Sequence, residues 1–115
     1  MEKTSSYAQY ATIEEILRGG YARQLVRILG TLEKIEIQNR TALVESNNSQ
    51  IECQIPEEFL SNISSGMYIQ VYGEVIPSVP NPKILARIVR QMNTIDEESY
   101  NFAVNVFQKY VYPSK

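Results

Sequence analysis

The sequence predicts an all-β chain closed into a small five-stranded Greek-key barrel and finished by one long helix. Three observations predict it. Five short segments alternate apolar and polar residues with a period near two. The first and the fourth each carry a glycine in mid-strand, Gly30 and Gly73, where a strand bends sharply from one sheet towards another. A short helical segment opened by Pro56 separates the third strand from the fourth.

Residues 1–11 are polar apart from Tyr7 and Tyr10 and are expected to form a loosely held arm. In the following "TIEEILRGG", Thr12 and Glu15 have the spacing of a capping box, and Gly19 stops the short helix. From Arg23 the period changes. In "QLVRILGTLEKIEI", Val26, Ile28 and Leu32 alternate with Arg27, Thr31 and Glu33, and Gly30 sits where the alternation breaks. "TALVES" and "QIECQI" form a hairpin about "NNS", with Ile51, Cys53 and Ile55 on one face. "PEEFLSNISSG" is the short helical connection. "MYIQVYGEVI" is the fourth strand, alternating Tyr68, Gln70 and Tyr72 with Ile69 and Val71. After the proline-rich loop "PSVPNP", "KILARIVRQM" is the fifth, with Ile84, Ala86 and Ile88 expected inward and Lys83 and Arg87 outward. Thr94 and Glu97 then repeat the capping-box spacing at the start of the last helix. Five short bent strands with a helix between the third and fourth are the pattern of the OB-fold. The expected organisation is an arm (1–11), an OB-fold barrel (12–93) and a C-terminal oligomerisation helix (94–113).

That last helix is too apolar for a single surface. At about 100° per residue, Tyr100, Val104, Phe107 and Val111 fall together, and Ala103, Tyr110, Val106 and Phe102 continue round from them. The arc is roughly 200° wide, about twice what docking on one barrel requires. Part of it is therefore expected to meet another surface; the alternative is burial of the whole arc within one chain by the helix and the arm together.

Composition limits the function. The chain has 115 residues, the size of one domain, with 43% hydrophobic and 21% charged residues. No apolar run is long enough to cross a bilayer, so no membrane role is expected, and the first residues lack the apolar core of a signal peptide. Cys53 is the single cysteine, expected as a core residue, and there is no histidine. That removes the commonest general base, every Ser-His or Cys-His pair and the usual zinc sets, so neither an enzyme nor a metal or cofactor site is expected. The acids fall mainly in helix-start pairs, Glu14-Glu15, Glu57-Glu58 and Glu97-Glu98. A net charge of −2 lacks the basic excess of a domain that grips nucleic acid alone.

"VRILGTLEKIE" (26–36), "IECQIPEEF" after the hairpin, "YIQVYGEV" and above all "DEESYNFAVNVFQKYVYP" resemble the small subunit of replication protein A. They are equally similar to its paralogues in telomere- and telomerase-associated trimers. The resemblance runs from about residue 20 to residue 113, in the same order and spacing; Phe102 departs from it, standing where the family tolerates a polar residue. It implies an OB-fold whose C-terminal helix bundles with one helix from each of two partners, a middle-sized and a large OB-fold subunit. Single-stranded DNA is then held mainly by those partners, in the nucleus. On this reading Phe102, Ala103, Val106 and Tyr110 face the partner helices, while Tyr100, Val104, Phe107 and Val111 pack on the barrel. The runner-up is an OB-fold that binds single-stranded nucleic acid directly. Its candidates are Arg40, Tyr68, Tyr72, Lys83 and Arg87, with half-buried packing for the tyrosines and a solvated face for the basic residues as the competing readings.

Overall fold

The computed structural model describes residues 9–92. The segment 94–113, and with it Tyr100, Phe102, Ala103, Val104, Val106, Phe107, Tyr110 and Val111, lies outside the described residues. Six strands and two short helices follow one another: β1 (Gln9–Tyr10), α1 (Ile13–Leu17), β2 (Leu25–Glu36), β3 (Thr41–Ser46), β4 (Ser49–Gln54), α2 (Glu57–Leu60), β5 (Tyr68–Ile76) and β6 (Lys83–Gln91). The alternating pattern predicts five strands. The sixth is β1, where an arm was expected. It pairs in parallel with Val26 and Arg27 of β2, the next residue, Ala11, is fully buried, and its N–H donates to the Arg27 carbonyl at 3.2 Å. Two residues are too few to show a period, which is why β1 left no pattern in the sequence.

The other five strands close on themselves. β2 is antiparallel to both β3 and β5, β3 pairs with β4, and β5 pairs with β6. A short parallel contact, Cys53 with Ile84 and Gln54 with Leu85, joins β4 to β6 and completes the ring β2-β3-β4-β6-β5. Each strand of that ring thus has a neighbour on both sides, the solution that barrels give to the edge problem, although β3 covers only the second half of β2 and β4 meets β6 over only two residue pairs.

Curvature comes from two close approaches and two bulges. A Cβ on Gly30 would stand 2.6 Å from Val44 Cγ1 and 2.7 Å from the Glu45 carbonyl oxygen, so only glycine lets β3 cross β2 there. The bulge expected near it falls slightly later, at Glu33, between the pairs Leu32–Val44 and Lys34–Leu43. At Gly73 close approach and bulge coincide: the pairing jumps from Tyr72–Ile88 to Gly73–Ala86, leaving Arg87 as the extra residue of β6. This corrects one expectation. An extra residue reverses the alternation beyond it, so Ile88 points outward, 45% exposed, and Val89 takes the inward place.

Inside the ring lie Val26, Ile28, Leu32, Val44, Ile51, Cys53, Ile69, Val71, Val75 and Ile84, each essentially inaccessible. Helix α1 packs beside β4, with Ile13 and Ile16 buried in the same core. Its start is the capping box the spacing predicts: the Glu15 N–H donates to Thr12 Oγ1 and the Thr12 N–H to Glu15 Oε1, both at 3.1 Å. The β3–β4 hairpin turns on Asn47 and Asn48, both at positive φ as a two-residue I′ turn requires. Around α2, Phe59, Leu60, Ile63 and Met67 pack against the core from outside.

Candidate functional site

Two outer faces of the barrel differ in chemistry. The first is formed by β3 and β4 with the end of β2, flanked by the Ile37–Arg40 turn and the loop before Lys83. Cross-strand rows on it read Lys34–Leu43–Glu52 and Glu36–Thr41–Gln54, with Glu45 opposite Gln50 beyond them. Acidic groups outnumber basic ones here, and no aromatic side chain projects from β3 or β4.

The second face is formed by the first half of β2 with β5 and β6, and β1 lies along its margin. Its register places Tyr10, Arg27, Tyr72 and Ile88 in one row and Leu29, Gln70 and Arg90 in the next. Arg27 carries its guanidinium 5.7 Å from the centre of the Tyr10 ring and 5.9 Å from that of Tyr72, within cation–π range of both. Arg90 donates from Nη2 to Gln70 Oε1 at 3.1 Å, and Gln70 is 9% exposed. Leu29, Tyr10, Tyr68 and Met92 form a small apolar cluster outside the barrel, next to the end of β6. Arg27, Gln70, Tyr72, Ile88 and Arg90 line one shallow groove.

The five residues singled out for nucleic-acid contact therefore do not form one site. Arg40, in the β2–β3 turn, lies 4.0 Å from Glu57; Lys83 lies 3.6 Å from Glu52, at the margin of the acidic face. Tyr72 and Arg87 belong to the β5–β6 side, where Arg87 lies 3.7 Å from Glu74. Tyr68 packs into the outer cluster with Leu29. Such exposed pairs contribute little stability, but each lowers the charge offered to a polyanion. Sequence reasoning missed Tyr10, Arg27, Gln70 and Arg90. Arg27 was already visible as an outward residue of its strand; its neighbours follow only from the register of β1, β5 and β6 against it.

Among the described residues no three metal-ligating side chains cluster, and burial, with the nearby Glu52 charge adding to it, pushes the Cys53 thiol up to about 12. A thiol held neutral in this way is a core group, not a nucleophile.

The family model for telomere-capping, CST complex subunits matches residues 4–113. The chain belongs to that family. Of the two branches of the resemblance drawn from the sequence, replication protein A or its telomere-associated paralogues, the family settles on the telomere side, and it is a family of structural and binding subunits. No curated protein sequence matches the chain. Among solved structures, one chain of the S. pombe Stn1–Ten1 complex superposes with a TM-score of 0.73 at 18% identity, covering 93% of this chain and 97% of that one. The S. pombe telomere capping protein Ten1 gives 0.72 at 18%, over 90% and 99%. U. maydis replication protein A bound to single-stranded DNA gives 0.64 at 19%, over 95% and 96%. At such identities these likenesses show the shared OB-fold-like barrel, in which the family's subunits and those of replication protein A agree.

Proposed function

We propose that this chain is the small assembly subunit of a nuclear, telomere-capping complex that binds single-stranded DNA. In this role it joins a middle-sized and a large OB-fold subunit by its C-terminal segment, and adds little DNA affinity of its own. The observation that carries the reading is the reach of the family match: it runs to residue 113 and so takes in the whole segment with the over-wide apolar arc. The S. pombe relative was solved as a complex with Stn1, which supports a counterpart of Stn1 as the direct partner. The net charge of −2 and the carboxylates beside Arg40, Lys83 and Arg87 support a barrel that does not grip DNA alone.

On this reading a three-helix bundle is the assembly device, with Phe102, Ala103, Val106 and Tyr110 on the partner side and Tyr100, Val104, Phe107 and Val111 on the barrel side. Two substitution sets test it. Phe102→Asp/Val106→Asp abolishes co-elution with the partner and leaves the melting temperature of the lone chain within a few degrees of wild type. Val104→Asp/Phe107→Asp lowers that melting temperature itself. If the first pair co-elutes with the partner as wild type does, the proposed seam is wrong.

A further inference from the structure

OB-folds bind oligonucleotides across the second and third strands of the barrel, between the loops that flank them. In this chain that face is β3–β4, and it carries Glu36, Glu45 and Glu52 with no aromatic side chain from either strand. Its three glutamates outnumber its one lysine, Lys34, so phosphate groups meet an acidic excess there and bases find no stacking platform on β3 or β4. Cation and aromatic character lie instead on the β2–β5–β6 face. We infer that the chain's auxiliary contact with single-stranded nucleic acid is made by that face, through Arg27, Tyr72 and Arg90. The inference rests on the reading of the chain as a subunit of a single-stranded DNA-binding complex, and it relocates the contact within that reading.

Charge availability favours this face: among the described residues it offers two arginines without a carboxylate partner, Arg27 and Arg90, where the β3–β4 face offers Lys34 in a row with Glu52. Arg18, Arg40, Lys83 and Arg87 each lie within 4.0 Å of a carboxylate. Arg27 and Arg90 are positioned by neutral groups instead: two tyrosine rings for the first, a largely buried amide for the second. Both guanidinium groups thus rest on neutral partners, with their charge not cancelled by a described carboxylate. Planar forks of this kind suit phosphodiester oxygens, and their flat faces stack on bases. Arg27 and Arg90 stand two strands apart and one row apart along the barrel, roughly 12 Å between backbones by ordinary sheet spacings. That separation lets them reach successive phosphates of one strand, with the Tyr72 ring between them.

The test uses the full chain in complex with its Stn1-type partner and a fluorescent oligothymidylate, titrated at several salt concentrations. Replacing both arginines, Arg27→Gln/Arg90→Gln, weakens binding by about three- to tenfold at low salt, as befits an auxiliary contact. It also reduces the slope of log affinity against log salt by about 1.4, the release of two single-strand counterions. Arg27→Lys/Arg90→Lys retains most of that slope, because charge and not folding is at issue. Lys34→Gln/Lys83→Gln, on the β3–β4 face, changes neither. Three results overturn the inference: the lysine pair reproduces the loss; the arginine pair leaves the slope unaltered while the complex keeps its mass; or the arginine pair breaks the complex, which makes this face a protein interface. If the wild-type chain does not join the partner at all, the assembly reading falls, and the same titrations on the chain alone still decide which face touches DNA.

Discussion

Replacing Gly73 by alanine tests the barrel geometry at its tightest point. The new Cβ meets the Leu85 carbonyl oxygen and stands 2.8 Å from Ala86 Cα and 2.9 Å from Ile84 Cγ2. Ordinary carbon contacts lie at about 3.5–4.0 Å. Two of the three obstructing atoms are backbone of β6, which cannot rotate away, so the β5–β6 pairing itself must separate at the bulge. Overpacking of this kind costs about 1–3 kcal/mol, and backbone obstruction puts Gly73→Ala near about 3. For a barrel of this size that lowers the melting temperature by roughly 12–24 °C. Gly66→Ala is the control: its φ of +92° strains any side chain, but nothing lies within 4 Å of the new Cβ, so its cost stays near about 1–2 kcal/mol. Thermal unfolding of the three full-length chains by circular dichroism reads the difference. The reasoning is refuted if Gly73→Ala melts as high as Gly66→Ala.

Three further outcomes follow from the same structure. Thr12→Ala removes the side-chain half of the α1 capping box and costs about 0.5–2 kcal/mol in denaturant unfolding, whereas Ile16→Ala, opening a void beneath the same helix, costs about 2–5. Cys53 stays unlabelled by iodoacetamide in the folded chain at mildly alkaline pH and reacts on unfolding; labelling of the native chain at the free-thiol rate contradicts its burial. Because its folded pKa is raised from 9.0 to about 12, the folded chain binds the thiol proton more tightly than the unfolded one. The resulting stability is complete below pH 9 and is lost as pH rises towards 12, so wild type loses more stability across that window than Cys53→Val does.

Much of the barrel was legible because its elements carry strong local signals. Thr12 and Glu15, the paired asparagines of the hairpin, and the inward rows on β3, β4 and β5 each state their structure within a few residues. What escaped was non-local. β1 exists only because β2 offers an edge at Val26 and Arg27, and the outward turn of Ile88 depends on a bulge opposite Gly73 that no window within β6 reveals. The candidate site shows the same limit. Tyr72 and Arg87 stand out in the sequence as residues of suitable type, yet the neighbours that give Tyr72 its surroundings, Arg27 and Tyr10, come from strands distant in sequence. Nor did residue type reveal that Arg40, Lys83 and Arg87 stand beside acids; that follows from Glu57, Glu52 and Glu74 projecting near them.

The most direct test of the assembly role is the mass in solution of the full chain, alone and mixed with its Stn1-type partner, compared with a chain ending at residue 93. The account predicts a stable one-to-one complex for the full chain and none for the shortened one, whose barrel still folds by circular dichroism. A shortened chain that binds the partner as tightly as the full chain would contradict it, and the barrel surface would then have to be the assembly surface.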